Sequence, residues 1–162
     1  MIIVSACLCG INCRYDGGNN LDERVFKLLM EGKAIPVCPE QLGGLETPRD
    51  PKEIVNGNGM DVLAGKARIL GVDEADATTK FIKGAYETLK IAEAVGASVA
   101  ILKARSPSCG VSQIYDGTFS RTKKIGNGVT TQLLLSKDIK IYTEENLDEI
   151  NFKDIIAGDD LT

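Results

Sequence analysis

Histidine is absent from this chain. That absence removes Ser-His-Asp and Cys-His catalysis, imidazole metal ligands and a histidine base, leaving carboxylate, hydroxyl, lysine, tyrosine or metal chemistry. Long apolar runs are missing too. The first expected strand begins at Ile2 with no basic region and no extended apolar stretch before it, so neither a signal peptide nor a membrane span is expected. The expected compartment is the cytoplasm, where thiols stay reduced and a set of cysteines reads as metal-binding or catalytic rather than as disulfides. Positive charge is not in excess. A formal net charge of -4 argues against extended contact with nucleic acid, although Arg121, Lys123 and Lys124 form a local basic cluster. Repeats, low-complexity tracts and linker-like stretches are lacking as well. With 43% apolar and 26% charged residues, the 162 positions read as one globular domain spanning residues 1–162.

What is present alternates strands with helices. Residues 2–5 form a short continuous apolar strand, and residues 21–30 follow with Leu21, Val25, Leu28 and Leu29 at helical spacing behind an Asn20 cap. Residues 34–37 read as the next strand, after Gly32 closes that helix. From 41 to 58 the chain reads as a long surface loop, with Pro48 and Pro51 excluding regular helix, and 60–70 as a hairpin turning at Ala64-Gly65. The longest helix is expected over 76–95, where Phe81, Ala85, Leu89 and Ala92 share a face and Gly96 ends it. A buried strand at 99–102, a turn-rich stretch around 114–119, a helix at 129–136 behind Gly126-Asn127-Gly128 and a last strand at 139–142 complete the series. The expected fold is a single three-layer α/β domain with a mainly parallel sheet and helices on both faces.

Three of the five cysteines fall in segments that follow expected strands: Ser5-Ala6-Cys7-Leu8, Val37-Cys38-Pro39-Glu40 and Ser106-Pro107-Ser108-Cys109-Gly110. Loops leaving the carboxyl ends of neighbouring parallel strands open into one crevice, so thiols remote in sequence are expected to converge there. Three thiolates around a metal centre leave one position for substrate. Soft thiolates select zinc, copper(I) or iron-sulfur clusters. Each cysteine taken alone is equally readable as an inert core residue, and Cys9 and Cys13 read as extra thiols near the site.

Other polar residues gather in the same segments. Glu40, two residues after Cys38, is readable as a general acid or base, or as a carboxylate that caps a turn or pairs with Arg49. Ser106 and Ser108 either contact substrate and relay a proton or brace the loop around Pro107. Asn12, Arg14, Tyr15 and Asp16 form a polar run suited to substrate contact or to an Arg-Asp lock. Gly43-Gly44 permits close approach of a ligand, and Gly126-Asn127-Gly128 before a helix is a weak anion-binding signal without a P-loop lysine.

Taken together, Ser5-Ala6-Cys7-Leu8, Arg14-Tyr15-Asp16-Gly17, Cys38-Pro39-Glu40-Gln41-Leu42-Gly43-Gly44, Thr47-Pro48-Arg49, Arg105-Ser106-Pro107-Ser108-Cys109-Gly110 and Ile114-Tyr115-Asp116-Gly117 resemble the 2-thiouracil desulfurase family over nearly the whole chain. The resemblance implies a 4Fe-4S cluster held by three cysteines, at positions matching Cys7, Cys38 and Cys109, with a glutamate and a serine near it that match Glu40 and Ser106 or Ser108. Cys9 stands where the family commonly has an aliphatic residue. The implied reaction is non-redox: a thiocarbonyl sulfur binds the open iron, water attacks the ring carbon, and sulfur leaves onto iron as hydrosulfide. The expected partner is a small thiolated base or nucleoside, with nucleic acid disfavoured by the acidic balance. The competing expectation is a zinc-binding or redox-sensing module that binds a small ligand without catalysis.

Overall fold

The computed structural model describes residues 1–147 together with residues 152, 153, 155 and 156. Along the chain these form β1 (Ile2–Ser5), α1 (Glu23–Met30), β2 (Ala34–Val37), α2 (Pro39–Leu42), β3 (Lys52–Val55), α3 (Gly59–Leu63) and β4 (Arg68–Gly71). There follow α4 (Thr78–Ala94), β5 (Val99–Leu102), β6 (Gln113–Tyr115), β7 (Lys123–Ile125), α5 (Val129–Leu135) and β8 (Lys140–Thr143). A 3-10 turn over Ala6–Cys9 continues β1.

The central sheet has the order β2-β1-β5-β8, and every neighbouring pair in it is parallel. Its inner strands are apolar without alternation because both faces are covered: all four residues of β1 are buried, as are Ala100, Ile101 and Leu102 of β5. Ile3, Ala100 and Leu102 point into a core shared with α3, α4 and α5, where Phe81 is only 1% exposed. Ile2, Val4 and Ile101 point the other way, into a core with Val25 and Leu28 of α1. The result is the expected three-layer arrangement. Fully burying a side chain the size of Phe81 is worth about 1.5–3 kcal/mol, so the two cores fix which face each strand residue presents. Among the described residues no helix is long and apolar enough to cross a membrane.

Four expectations change. α1 starts at Glu23 because Asp22, rather than Asn20, caps it, accepting from the Arg24 and Val25 N–H groups at 3.0 and 3.4 Å. The expected hairpin over 60–70 is instead α3 followed by β4. Asn58 accepts from the Met60 N–H at 2.9 Å while the Asp61 carboxylate accepts from the Asn58 N–H at 2.9 Å, a reciprocal cap that starts a helix. The expected loop over 41–58 contains β3, which pairs antiparallel with β4 in the register Lys52↔Gly71 to Val55↔Arg68. β6, which overlaps the stretch around 114–119 that reads as turns, pairs antiparallel with β7 in a small ribbon whose Ile114 packs into the first core.

One close approach positions the site. A Cβ at Gly84 of α4 would lie 1.8 Å from the Pro39 carbonyl oxygen, and one at Gly43 would lie 2.0 Å from the Lys80 carbonyl oxygen. The backbones of α2 and α4 therefore touch directly, and only glycine fits on either side.

Candidate active site

β1, β2 and β5 end side by side, and the segments that leave them line one crevice of about 610 Å³. β1 ends in Ser5 and turns at once into the 3-10 segment, which places Cys7 on the wall. β2 ends one residue before Cys38, which precedes α2 with Pro39 at the first helical position, where its missing N–H costs nothing. β5 runs into the Ser106 to Cys109 loop, and that loop is held from both sides. Ser106 Oγ accepts from the Ser108 and Cys109 N–H groups at 3.1 Å each, while Thr131 Oγ1 donates to the Cys109 carbonyl at 2.8 Å. The N–H groups of Val129 and Thr130, at the start of α5, donate to the carbonyls of Pro107 and Ser108 at 3.0 and 2.9 Å. Those donors brace the cysteine loop, so the glycine-rich entry to this helix, a weak anion-binding signal in the sequence, binds protein carbonyls.

Four thiols reach the crevice: Cys7, Cys13, Cys38 and Cys109. Cys9 does not; it is buried in the core beside α1, and desolvation pushes its thiol up to about 11. Cys13 lies against Cys38 and Cys7. The hydrogen bond with Cys38 pulls its thiol down, but contact with Cys7 and burial outweigh that and leave it at about 11. The Cys38 thiol is raised by its hydrogen bond with Cys13 and by burial, and it donates to the Cys13 carbonyl at 3.8 Å. Burial pushes the Cys109 thiol up to about 12 against hydrogen bonds from Ser5 and Ser108. All three elevated thiols at the crevice are therefore protonated near neutral pH, and a metal must displace those protons on binding. Among the described residues no three cysteine or carboxylate side chains are gathered as a ready site for one metal ion.

Glu40 enters the crevice from the first turn of α2. Arg49 Nε and Nη2 both lie 2.7 Å from its Oε2, and Arg49 Nη2 also donates to the Cys13 carbonyl at 3.0 Å. One guanidinium thus fixes the carboxylate and the Cys13 segment together, leaving Glu40 Oε1 clear of that pair. Ser106 lines the crevice, whereas Ser108 is 1% exposed and shares a 2.7 Å hydrogen bond with Thr130 behind the loop. Arg14 and Tyr15 line the mouth, with the guanidinium 5.7 Å from the ring centroid. Asp16 sits outside the crevice, 3.2 Å from Arg14. Asn12 is exposed and accepts from Asn19 at 2.8 Å; Gly43 faces α4 and Gly44 open space, and neither lines the crevice.

Sequence reasoning missed several wall residues. Glu53, on β3, is 8% exposed, and its carboxylate accepts from the Gly117 and Phe119 N–H groups at 2.9 and 3.1 Å. It thereby holds the segment that brings Phe119 and Arg121 over the crevice. Lys52-Glu53-Ile54-Val55 shows no polar–apolar alternation and follows two prolines, so the sequence carries no strand signal there. Six cations line the crevice (Arg14, Arg49, Lys52, Lys103, Arg105 and Arg121) against the two carboxylates Glu40 and Glu53. Lys103 and Arg105 are paired with Glu144 and Glu145, and Lys52 stands 3.9 Å from Asp73. Arg105 also carries backbone strain, with φ 66°, and a buried Nε without a hydrogen-bond partner.

The comparisons with known proteins cover nearly the whole chain. The family model for 2-thiouracil desulfurase matches residues 2–146. YbbK, an uncharacterized protein of Bacillus subtilis (strain 168), is 47% identical over 150 residues, covering 93% of this chain and 99% of its own length. Among solved structures, the [4Fe-4S]-dependent thiouracil desulfidase TudS is similar with a TM-score of 0.83 and 35% identity, over 99% of this chain and 98% of that one.

Proposed function

The chain belongs to the 2-thiouracil desulfurase family, and we propose that it converts a thiolated pyrimidine to the oxo base and sulfide, using a 4Fe-4S cluster held by Cys7, Cys38 and Cys109. The observation that carries this reading is the meeting of those three thiols with Glu40 and Ser106 on one crevice. The donor set suits the group. A single zinc ion draws its sulfurs to about 2.3 Å from one point. Thiols issuing from three adjacent strands, each about 4.7–4.9 Å from the next, span a wider base, which supports a multi-iron group over one zinc ion. When bound, such a cluster supplies an iron without a protein ligand, a soft Lewis acid matched to thiocarbonyl sulfur.

The protein's own groups supply the rest. Glu40, anchored through Oε2 by Arg49, presents Oε1 to take a proton from the water that attacks the sulfur-bearing carbon. Ser106 Oγ accepts two backbone N–H groups, so its hydroxyl hydrogen remains to donate to the substrate. Arg121, reaching over a crevice whose other five cations each face a carboxylate, favours a substrate that carries a negative group, such as a thiolated pyrimidine nucleotide.

Protein reconstituted without oxygen is expected to hold iron and acid-labile sulfide and to release sulfide from 2-thiouracil, from a thiouridine and, with the highest kcat/KM, from its 5′-phosphate. Failure to turn over any thiolated base, nucleoside or nucleotide would overturn the proposal. Anaerobically purified protein containing zinc and no iron would favour a binding module without catalysis instead.

A further inference from the structure

Glu53 is the second carboxylate on the crevice, carried by β3 and only 8% exposed. Among the described residues, the hydrogen bonds to it both fall on one oxygen: the Gly117 and Phe119 N–H groups donate to Oε2 at 2.9 and 3.1 Å. An ionised carboxylate has about four acceptor sites on its two oxygens, so Oε1 is left to accept. Among the described residues, the sealed side-chain polar atom without a partner is Arg105 Nε, so Oε1 is not walled off and opens on the crevice that Glu53 lines. Among those residues no cation stands within ion-pair distance of Glu53, whereas Glu40 is held by Arg49. The neighbouring Lys124 ammonium is committed to the Ile54 and Asp116 carbonyls at 3.0 and 3.2 Å. A loop anchor alone needs a single neutral oxygen, as in glutamine. A buried carboxylate with a spare oxygen and no paired cation needs a further N–H donor, and the occupant of the crevice is placed to bring it.

Resting on the desulfurase reading above, we propose that Glu53 is a specificity-determining residue: its Oε1 accepts a ring N–H of the substrate, so the crevice selects thiolated pyrimidines of the uracil type. In a 2-thiouracil or a 4-thiouracil ring, the nitrogen between the two carbonyl-type carbons carries a hydrogen and adjoins the sulfur-bearing carbon. Accepting that N–H fixes how the ring lies beside the reacting carbon. A 2-thiocytosine nucleoside has a lone pair on the same nitrogen, which a carboxylate repels. A site built to hydrogen-bond an N–H rejects the analogue lacking it far more strongly than an apolar pocket rejects a changed methyl group. Because Oε2 of the same side chain holds the Phe119 segment, one residue sets both the ring contact and the wall over it.

The test compares wild type and Glu53→Gln, reconstituted without oxygen, on 2-thiouridine, 2-thiocytidine and N3-methyl-2-thiouridine, with released sulfide as the readout. In Glu53→Gln the amide oxygen must stay on the Gly117 and Phe119 N–H groups, which turns the amide NH2 towards the substrate and exchanges an acceptor for a donor. Wild type is expected to prefer 2-thiouridine over both other compounds by about tenfold to a hundredfold in kcat/KM. Glu53→Gln should lose activity on 2-thiouridine and gain it on 2-thiocytidine, whose ring nitrogen meets a donor; a merely structural role would lower both alike. An unchanged ratio in the variant would overturn the inference. So would a wild type that handles the N3-methyl compound as well as 2-thiouridine, a comparison that stands even if Glu53→Gln does not fold. Failure of the wild type to release sulfide from any thiolated compound would count against the proposed function instead. In that case calorimetry with uridine and 3-methyluridine reads the same contact: weaker binding of the methylated compound supports it, and equal binding overturns it.

Discussion

Ser106 and Ser108 stand two positions apart and face opposite ways. Ser106 looks into the crevice, whereas Ser108 is sealed against Thr130. Ser106→Ala is therefore expected to lower kcat by about a hundredfold or more, the scale of lost proton relay. Ser108→Ala should instead cost about 1–3 kcal/mol of stability by leaving Thr130 without its partner, visible in a urea melt, while most turnover is kept. Glu40→Gln should keep the iron yet lose about a hundredfold to ten-thousandfold in kcat. Replacing Cys7, Cys38 or Cys109 by Ser should abolish iron binding, and Cys9→Ser should spare it, because Cys9 points into the core beside α1. Iron retained in the Cys7→Ser protein would refute that ligand set. At this scale the residue types were legible and the directions were not. Nothing in Ser-Pro-Ser says which hydroxyl meets solvent; α5 decides it by claiming the Pro107 and Ser108 carbonyls.

At the scale of elements, the strands and helices of the central sheet were readable because a buried parallel strand is a continuous apolar run, as in Ile2-Ile3-Val4. β3 and α3 were not readable in that way. β3 follows a proline and buries Glu53, a residue that an apolar pattern rejects, and α3 is a five-residue helix started by an Asn58–Asp61 cap. The contact between α2 and α4 was also invisible, since Gly43 and Gly84 are 41 positions apart and each looks like ordinary turn or helix glycine. Gly84→Ala is expected to push α2 outward, costing about 1–3 kcal/mol and misplacing Glu40, so kcat should fall although position 84 touches no substrate. Wild-type kcat in that variant would show that the contact is slack. Asp76 offers a pH-dependent case. Hydrogen bonds from Thr78, with Arg68 beside it, lower its carboxyl to about 2 from the ordinary 3.8. A depressed carboxyl stabilises the fold above its unfolded value, and that contribution is lost as pH falls through the folded one. Asp76→Ala should cost about 0.5–2 kcal/mol at neutral pH as a lost helix-start acceptor. The gap to wild type should close between 3.8 and about 2 in pH-dependent unfolding.

For the whole molecule, the net charge of -4 and the cationic crevice act at different ranges. Long thiolated RNA meets an acidic body, while a single phosphate meets Arg121 and its neighbours. Binding of a thiolated nucleotide should therefore weaken with salt by about one charge's worth of slope, and a steeper slope with thiolated transfer RNA would point to a polynucleotide substrate. The parallel sheet adds a constraint of timing. Cys7 and Cys38 leave the ribosome together with β1 and β2, but Cys109 follows β5, the strand that completes this edge of the crevice. At about 5–20 residues per second, the roughly seventy residues between Cys38 and Cys109 hold the first two thiols in waiting for about four to fourteen seconds. On the proposed ligand set, cluster loading follows completion of the chain, and ribosome-stalled chains that end before Cys109 should carry no iron.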